Sequence, residues 1–203
     1  SLLPAECLFP AIRDFYQLGV PVDVQIVEEV FAGTWDALQS RRVDLIIGAD
    51  NLSKPAGNFT IRALGEMAFV FAVAADHPLA RAEEPLSEED ISRYPAAVAA
   101  DTSRSLTPGH AGIFRRQRTL TVANIDQKIA IQVAGLGVGW LPESRIGRQL
   151  EEGSLIAKQV HEARQPVMLH LARHAEDQGK ALMWFWDRLS KDDTVKSMPT
   201  GVR

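Results

Sequence analysis

The stretch Val133-Ala-Gly-Leu-Gly-Val-Gly-Trp-Leu-Pro142, followed by Glu151-Glu-Gly-Ser-Leu155, decides how this chain is read. A helix running into Gly135 has to stop and turn, because glycine reaches left-handed backbone angles at little steric cost. The chain re-enters as a short apolar strand from Val138 to Leu141, and Pro142 closes it by removing a ladder donor. The alternate glycines leave bare amides that a small molecule could approach, Gly137 among them. The unit is a helix, a tight turn and a strand.

Elements of the same kind alternate upstream of it. Pro4 opens a first helix with the apolar stripe Leu8, Ile12, Phe15 and Leu18, and Gly19 and Pro21 end it. Val22, Val24 and Ile26 alternate with Asp23 and Gln25, which predicts a strand with one wetter face. Thr34 is placed to cap a short helix carrying Trp35 and Leu38. Val43 to Ala49 is nearly all apolar, as expected of a parallel strand covered on both faces. The order helix, strand, helix, strand predicts an α/β fold.

A polar loop from Asn51 to Asn58 leads to a long extended run at 66–75. Asp76-His77-Pro78-Leu79 turns the chain, and Ser87 caps a helix at Glu88 to Arg93. Strands at 96–100 and 120–123 flank a polar loop from Asp101 to Gly112. Asn124, with Gln127 three residues on, caps the helix carrying Ile125, Ile129 and Val133. A short helix at 143–150 and a strand at 154–160 follow. A second extended run at 166–173 and an amphipathic helix with Leu182, Phe185 and Leu189 complete the pattern. The two extended runs bracket a middle block. The expected division is therefore an outer lobe of 1–73 plus 172–190, a middle lobe of 74–171, and a flexible tail at 191–203. Two Rossmann-like lobes joined by two crossover strands result.

Composition narrows the function. The 203 residues carry 46% hydrophobic side chains and a net charge of −4, enough for one good core or two small ones, with no basic face for a phosphate backbone. The densest basic cluster, Arg115-Arg116-Gln117-Arg118, reads as a solvated loop before a strand. The single cysteine, Cys7, reads as a small buried hydrophobe and points to a reducing compartment. No apolar run approaches the length of a membrane span, and the expected location is the cytoplasm.

No catalytic constellation stands out, and neither a metal nor a cofactor is expected. Gly135-Leu-Gly-Val-Gly139 follows a helix and precedes a strand, the reverse of a dinucleotide fingerprint. His170 and His174 lie on an extended run, about 13 Å apart at roughly 3.3 Å per residue. His77, His110 and His161 read as solvated.

In this order the motifs resemble the effector-binding domain of LysR-type transcriptional regulators. The resemblance rests on Leu2-Leu3-Pro4, Asp44-Leu-Ile-Ile-Gly48, Ala75-Asp-His-Pro-Leu-Ala80, Val133 to Pro142, Leu150-Glu-Glu-Gly-Ser-Leu155 and Phe185-Trp-Asp-Arg-Leu189. It implies a fold similar to type 2 periplasmic binding proteins, and a transcription regulator that binds a small polar or carboxylate-bearing metabolite in the inter-lobe cleft. Candidate effector-binding residues are Ser1 and Leu2 at the first helix, Asp50 and Asn51, Thr102, Ser103 and Arg104, Asn124, and Gly137. Helix N-termini facing the cleft would favour an anionic group.

The resemblance further implies a homodimer, and a tetramer in the full-length protein. The first helix and the helix at 125–135 would pack across a two-fold through Phe9 and Arg13 on one, and Lys128 and Gln132 on the other. DNA would be read only through an N-terminal helix-turn-helix domain absent from this sequence, and the family's first strand would precede Ser1. The alternative is a solute-binding protein serving a transporter.

Overall fold

The computed structural model describes residues 2–109 and 112–191. In chain order the helices are α1 (Phe9–Tyr16), α2 (Ala32–Gln39), α3 (Glu88–Ser92), α4 (Ile125–Val133), α5 (Gly147–Glu151) and α6 (Lys180–Lys191). The strands are β1 (Ile46–Ala49), β2 (Phe59–Met67), β3 (Phe69–Ala74), β4 (Ala96–Ala99), β5 (Thr119–Val122), β6 (Gly139–Pro142), β7 (Leu155–Lys158) and β8 (Val167–His174). Two compact units form. The first takes Ser1–Glu66, Asp101–Gly109 and Val167–Arg203; the second takes Met67–Ala100 and His110–Pro166. The segment 101–109, expected in the middle lobe, packs with the first unit. The expected tail at 191–203 lies outside the described residues from position 192 onward.

The first unit carries a sheet of order β1-β8-β2. β1 pairs antiparallel with β8, Ile46 opposite Ala172 and Ala49 opposite His170, with a bulge between Ile47 and Ala49. This corrects the expected parallel strand: the apolar run was read as a two-faced parallel element, but its partner is the returning β8. Gly48 makes the bulge possible, since its φ of +81° is open to glycine and leaves Leu3 Cδ1 only 3.0 Å from where a Cβ would stand. Trp35, Leu38, Ile46, Ala49 and Ala172 form the core, and Leu106 from the inserted segment packs against it. On α1, Phe15 meets Trp184 and Phe185 of α6 at ring-centroid distances of 5.2 and 4.7 Å.

Two local expectations fail here. Residues 21–30 form no strand, because a strand exists only as a paired element and 22–26 has no ladder partner among the described residues. Thr34 does not cap α2. The cap position is Phe31, and the helix begins two residues before Thr34.

In the second unit β3 lies between β6 and β7, antiparallel to both, while β4 pairs parallel with β5. β3 is apolar throughout because both its faces are buried. Phe71 and Val73 pack with Leu79, Leu86, Ile91, Val138 and Trp140; Ala72, facing the other way, packs with Ile125, Ile129, Leu141, Ile146 and Leu155. The helix–turn–strand unit forms as read. Gly135 has φ +70° just past α4, and the N–H of Leu136 reaches back to the Ile131 carbonyl at 3.0 Å. His77 is a correction: it is buried, not solvated, and its Nδ1 accepts from the Leu79 N–H at 3.2 Å to start a 3-10 turn. His161 is exposed, and His110 lies outside the described residues.

The inner face of α4 also differs from expectation. Lys128 and Gln132 do not face outward; they are 7% and 0% exposed, and Lys128 Nζ donates to the Trp140 carbonyl at 2.8 Å. The buried stripe of α4 is Ile125, Lys128, Ile129 and Gln132, spaced i, i+3, i+4, i+7, so helical periodicity carries the two polar residues inward. Its outward residues are Asp126, Gln127, Ala130 and Val133. Burial, with Arg164 nearby, pushes the Lys128 ammonium down to about 8. The unfolded chain then binds the proton more tightly than the folded one between about 8 and 10.5, so stability rises with pH across that window. In low-salt buffer, Lys128→Met is expected to remove this rise and to stabilise the protein at pH 7. The ceiling is on the order of 3 kcal/mol from about 1.4 kcal/mol per pH unit, and chemical denaturation across pH measures it.

Candidate functional site

The densest polar constellation in the first unit is built where the segment 101–109 lies on α2. A helix start leaves backbone N–H groups without intrahelical partners. At α2 they are taken by a side chain 69 residues away. Asp101 accepts from the N–H of Ala32 and of Gly33, both at 3.1 Å. The same carboxylate accepts from Ser103 N–H at 2.7 Å and Gly109 N–H at 2.5 Å, which folds its own loop around it. A carboxylate among four amides at the positive end of a helix is a charge-assisted arrangement.

The neighbouring residues extend the seam. Thr102 and Val30 exchange bonds: Val30 N–H donates to Thr102 Oγ1 at 2.9 Å, and Thr102 N–H to the Val30 carbonyl at 3.3 Å. The Thr102 hydroxyl donates to Glu29 Oε2. Ser103 Oγ both accepts from Leu106 N–H and donates to the Leu106 carbonyl, each at 2.9 Å. Gly33 permits this approach. A Cβ there would overlap Thr102 Oγ1 and stand 2.8 Å from the Thr102 carbonyl carbon.

A second acid locks the far end. Asp36, 1% exposed, accepts from Arg104 N–H at 3.1 Å, from the Ser105 hydroxyl, and from Arg42 at 2.8 Å. The Ser105 hydroxyl, against the opposing effect of burial, holds its carboxyl below the ordinary 3.8, helped by Arg104 N–H and Arg42. Arg42 also reaches Glu29 Oε1 at 2.6 Å, joining the two ends of the seam.

The turn after β1 flanks the other side of α2. Trp35 Nε1 donates to the Asp50 carbonyl at 2.5 Å, and Asp50 Oδ1 accepts from Leu52 N–H at 2.9 Å. Asn51 Nδ2 lies 3.2 Å from His170 Nε2, and His170 Nδ1 lies 3.2 Å from the Ala49 carbonyl. A carbonyl can only accept, so Nδ1 carries the proton and Nε2 accepts from Asn51. The two loops meet at Gly109, where a Cβ would stand 3.3 Å from Asp101 Oδ2 and 3.7 Å from Ser53 Oγ.

Five of the sequence-derived candidates thus gather in the first unit: Asp50, Asn51, Thr102, Ser103 and Arg104. The backbone of Arg104 is engaged and its side chain is exposed. Leu2 lies in the same unit, in coil before a 3-10 turn at Ala5–Leu8, so it is not the start of α1. Ser1 lies outside the described residues. Asn124 and Gly137 belong to the second unit. Asn124 Oδ1 caps α4 by accepting from Gln127 N–H at 3.0 Å, while Gln127 Oε1 accepts from Ala123 N–H at the same distance. Gly137 is buried, with Pro95 O 3.2 Å and Ala97 N 3.3 Å from where its Cβ would stand, which accounts for glycine by packing. Of the two helix starts expected to offer free amides, α4 has its Gln127 N–H taken by Asn124, while α1 begins after Leu8 with no side-chain cap.

The sequence reading missed Asp101, Gly33, Glu29, Asp36 and His170. The available signal was Asp101-Thr-Ser103, a run of capping residues with no helix of its own behind it. Among the described residues, no group of three or more His, Cys, Asp or Glu side chains could hold a metal ion.

The family model for the LysR substrate binding domain matches residues 1–193. The chain belongs to the LysR substrate binding domain family. Its relatives are helix-turn-helix regulators, not enzymes. It is 38% identical over 157 residues to the HTH-type transcriptional regulator YeeY of Escherichia coli K12, covering 77% of this chain and 51% of that protein. It is 30% identical over 184 residues to PunR of the same organism, covering 91% and 59%. The chain spans about half the length of the curated relatives it matches.

Among solved structures, the regulatory domain of the LysR family regulator MetR from N. meningitidis superposes with a TM-score of 0.66. The two share 19% identity, and the match covers 96% of this chain and 88% of that one. The effector binding domain of QuiR, solved in complex with shikimate, gives 0.63 at 15% identity, with 92% and 90% covered. The fold is thus that of LysR regulatory domains, the two-lobed fold similar to periplasmic binding proteins.

Asp101→Ala removes the acceptor for four amides. We expect a loss of ~2 kcal/mol, at the upper end for a helix cap, together with faster hydrogen exchange at Ala32 and Gly33. Gly33→Ala should release the same loop by steric overlap with Thr102, with exchange at Val30 as the readout. Because the carboxyl of Asp36 is held below 3.8, the bond network around it is intact above that pH and should come apart as pH falls through its folded value.

Proposed function

We propose that this effector-binding domain senses a small polar or carboxylate-bearing metabolite at the surface formed by the β1 turn, α2 and the segment 101–104. The observation that carries the reading is the routing of the chain. Residues 101–109 continue directly from β4 of the second unit, yet are tied to α2 of the first by Asp101, Thr102 and Asp36. A ligand that bonds Asn51, Thr102 or Ser103 acts on a segment covalently continuous with β4, so its binding energy is felt in both units.

The full-length regulator, acting in the cytoplasm, would read DNA through a separate helix-turn-helix domain, and ligand binding would reach that domain through a homodimer. Two faces support the dimer. α1 presents Phe9, Ile12, Arg13 and Tyr16 around a groove of about 500 Å³, and Phe9 is 49% exposed. α4 presents Ala130 and Val133, continued by Leu136 at 58% exposure. Each apolar strip is too narrow for one core and suited to a two-fold contact. The full-length protein would assemble to a tetramer.

Two experiments test this. Titration calorimetry with paired acidic and neutral metabolite analogues should show binding by the acidic or polar members, weakened at least tenfold by Asn51→Ala or Thr102→Val; binding untouched by both substitutions would place the ligand elsewhere. Light scattering at high micromolar concentration should give a dimer, and Phe9→Glu should shift it towards monomer; a monomeric native chain would end the dimer proposal.

A further inference from the structure

The inner face of α4 carries a feature that the effector reading leaves unused. Half of its buried stripe is polar, and the polar half is unbalanced. Gln132 is 0% exposed, and neither its amide nitrogen nor its amide oxygen has a hydrogen-bond partner. One turn earlier, Lys128 makes a single hydrogen bond, to the Trp140 carbonyl at 2.8 Å. Among the described residues no carboxylate pairs with Lys128, and the charge that acts on it is another cation, Arg164, whose guanidinium lies 3.7 Å from the centre of the Phe69 ring.

Buried polar groups in proteins are almost always satisfied, and an isolated buried charge is costlier still. After the bond to Trp140, the Lys128 ammonium retains two N–H donors and the Gln132 amide two more, against the two lone pairs of the Gln132 carbonyl oxygen. A water molecule would accept two hydrogen bonds but add two donors, and it would leave the ammonium charge uncompensated. An anion supplies acceptor capacity in several directions and offsets the uncompensated charge. Space restricts it to a small one. A Cβ on Gly139 would already stand in van der Waals contact, 3.5 Å from Gln132 Nε2 and 3.6 Å from the Ala97 carbonyl oxygen. That carbonyl repels an anion, so the ligand belongs on the Lys128 side of the amide.

We infer that the second unit holds a small monovalent anion of chloride size between α4 and β6, bound by the Lys128 ammonium and the Gln132 amide. The site lies wholly within residues of the second unit and is independent of the effector surface built on α2. Occupancy converts a buried unpaired cation into a buried pair, and so couples the stability of this unit to the concentration of the anion.

The test uses the full 203-residue chain with chloride as the probe, against gluconate at equal ionic strength and pH 7. Chloride should raise Tm by several degrees along a saturable curve, and the increment should fade as the pH passes the value at which Lys128 gives up its proton. Lys128→Met should abolish the chloride increment, and Gln132→Leu should weaken it. Equal Tm in the two salts, or an increment that survives in Lys128→Met, overturns the inference. Should Lys128→Met fail to fold, chloride NMR line broadening on the unaltered protein decides: broadening that bromide relieves supports the site, and its absence removes it.

Discussion

The carboxylate of Asp101 accepts the N–H groups of Ala32 and Gly33 at the start of α2 and those of Ser103 and Gly109 in its own loop, and the first unit is arranged around those four bonds. Without a carboxylate there, the first turn of α2 would bury unpaired donors, and the polar segment 101–109 would have no reason to lie against an apolar core. The neighbouring contacts are conditional on it. Thr102 can exchange bonds with Val30 only because the chain already runs past Gly33, and Leu106 reaches Trp35 and Ile46 only because Asp101 and Asp36 hold the loop at both ends.

Charge is handled differently in the two units. In the first, buried acids are compensated several times over: Asp36 by Arg42, a hydroxyl and an amide, Glu29 by Arg42 and Thr102. Breaking one member of such a network is costly even where the network adds little net stability. In the second unit Lys128 is buried against a single carbonyl, with another cation nearby.

Membership of the LysR family explains why polar side chains gather without forming a catalytic arrangement. The hydroxyls, amides and imidazole around α2 are each committed to orienting a loop, as with His170, which is fixed in one tautomer by Ala49 and receives a bond from Asn51.

Local rules made most elements legible in the sequence. Gly135 stops α4, Asn124 and Ser87 cap their helices, and the uninterrupted apolar run of β3 announces burial on both faces. Each of these depends on residues within a few positions of one another, and the ordered motifs fixed the family. What the sequence could not decide is every choice made between distant segments. Residues 22–26 have strand periodicity but no partner, β1 meets the antiparallel β8 and not a parallel neighbour, and α2 takes its cap from a residue 69 positions away. Nor does periodicity distinguish a polar residue on a buried stripe from one on a free face, which is how Lys128 and Gln132 came to lie inside. Backbone angles and caps answer to neighbours along the chain. Pairing and burial answer to neighbours in space, and only the folded chain supplies those.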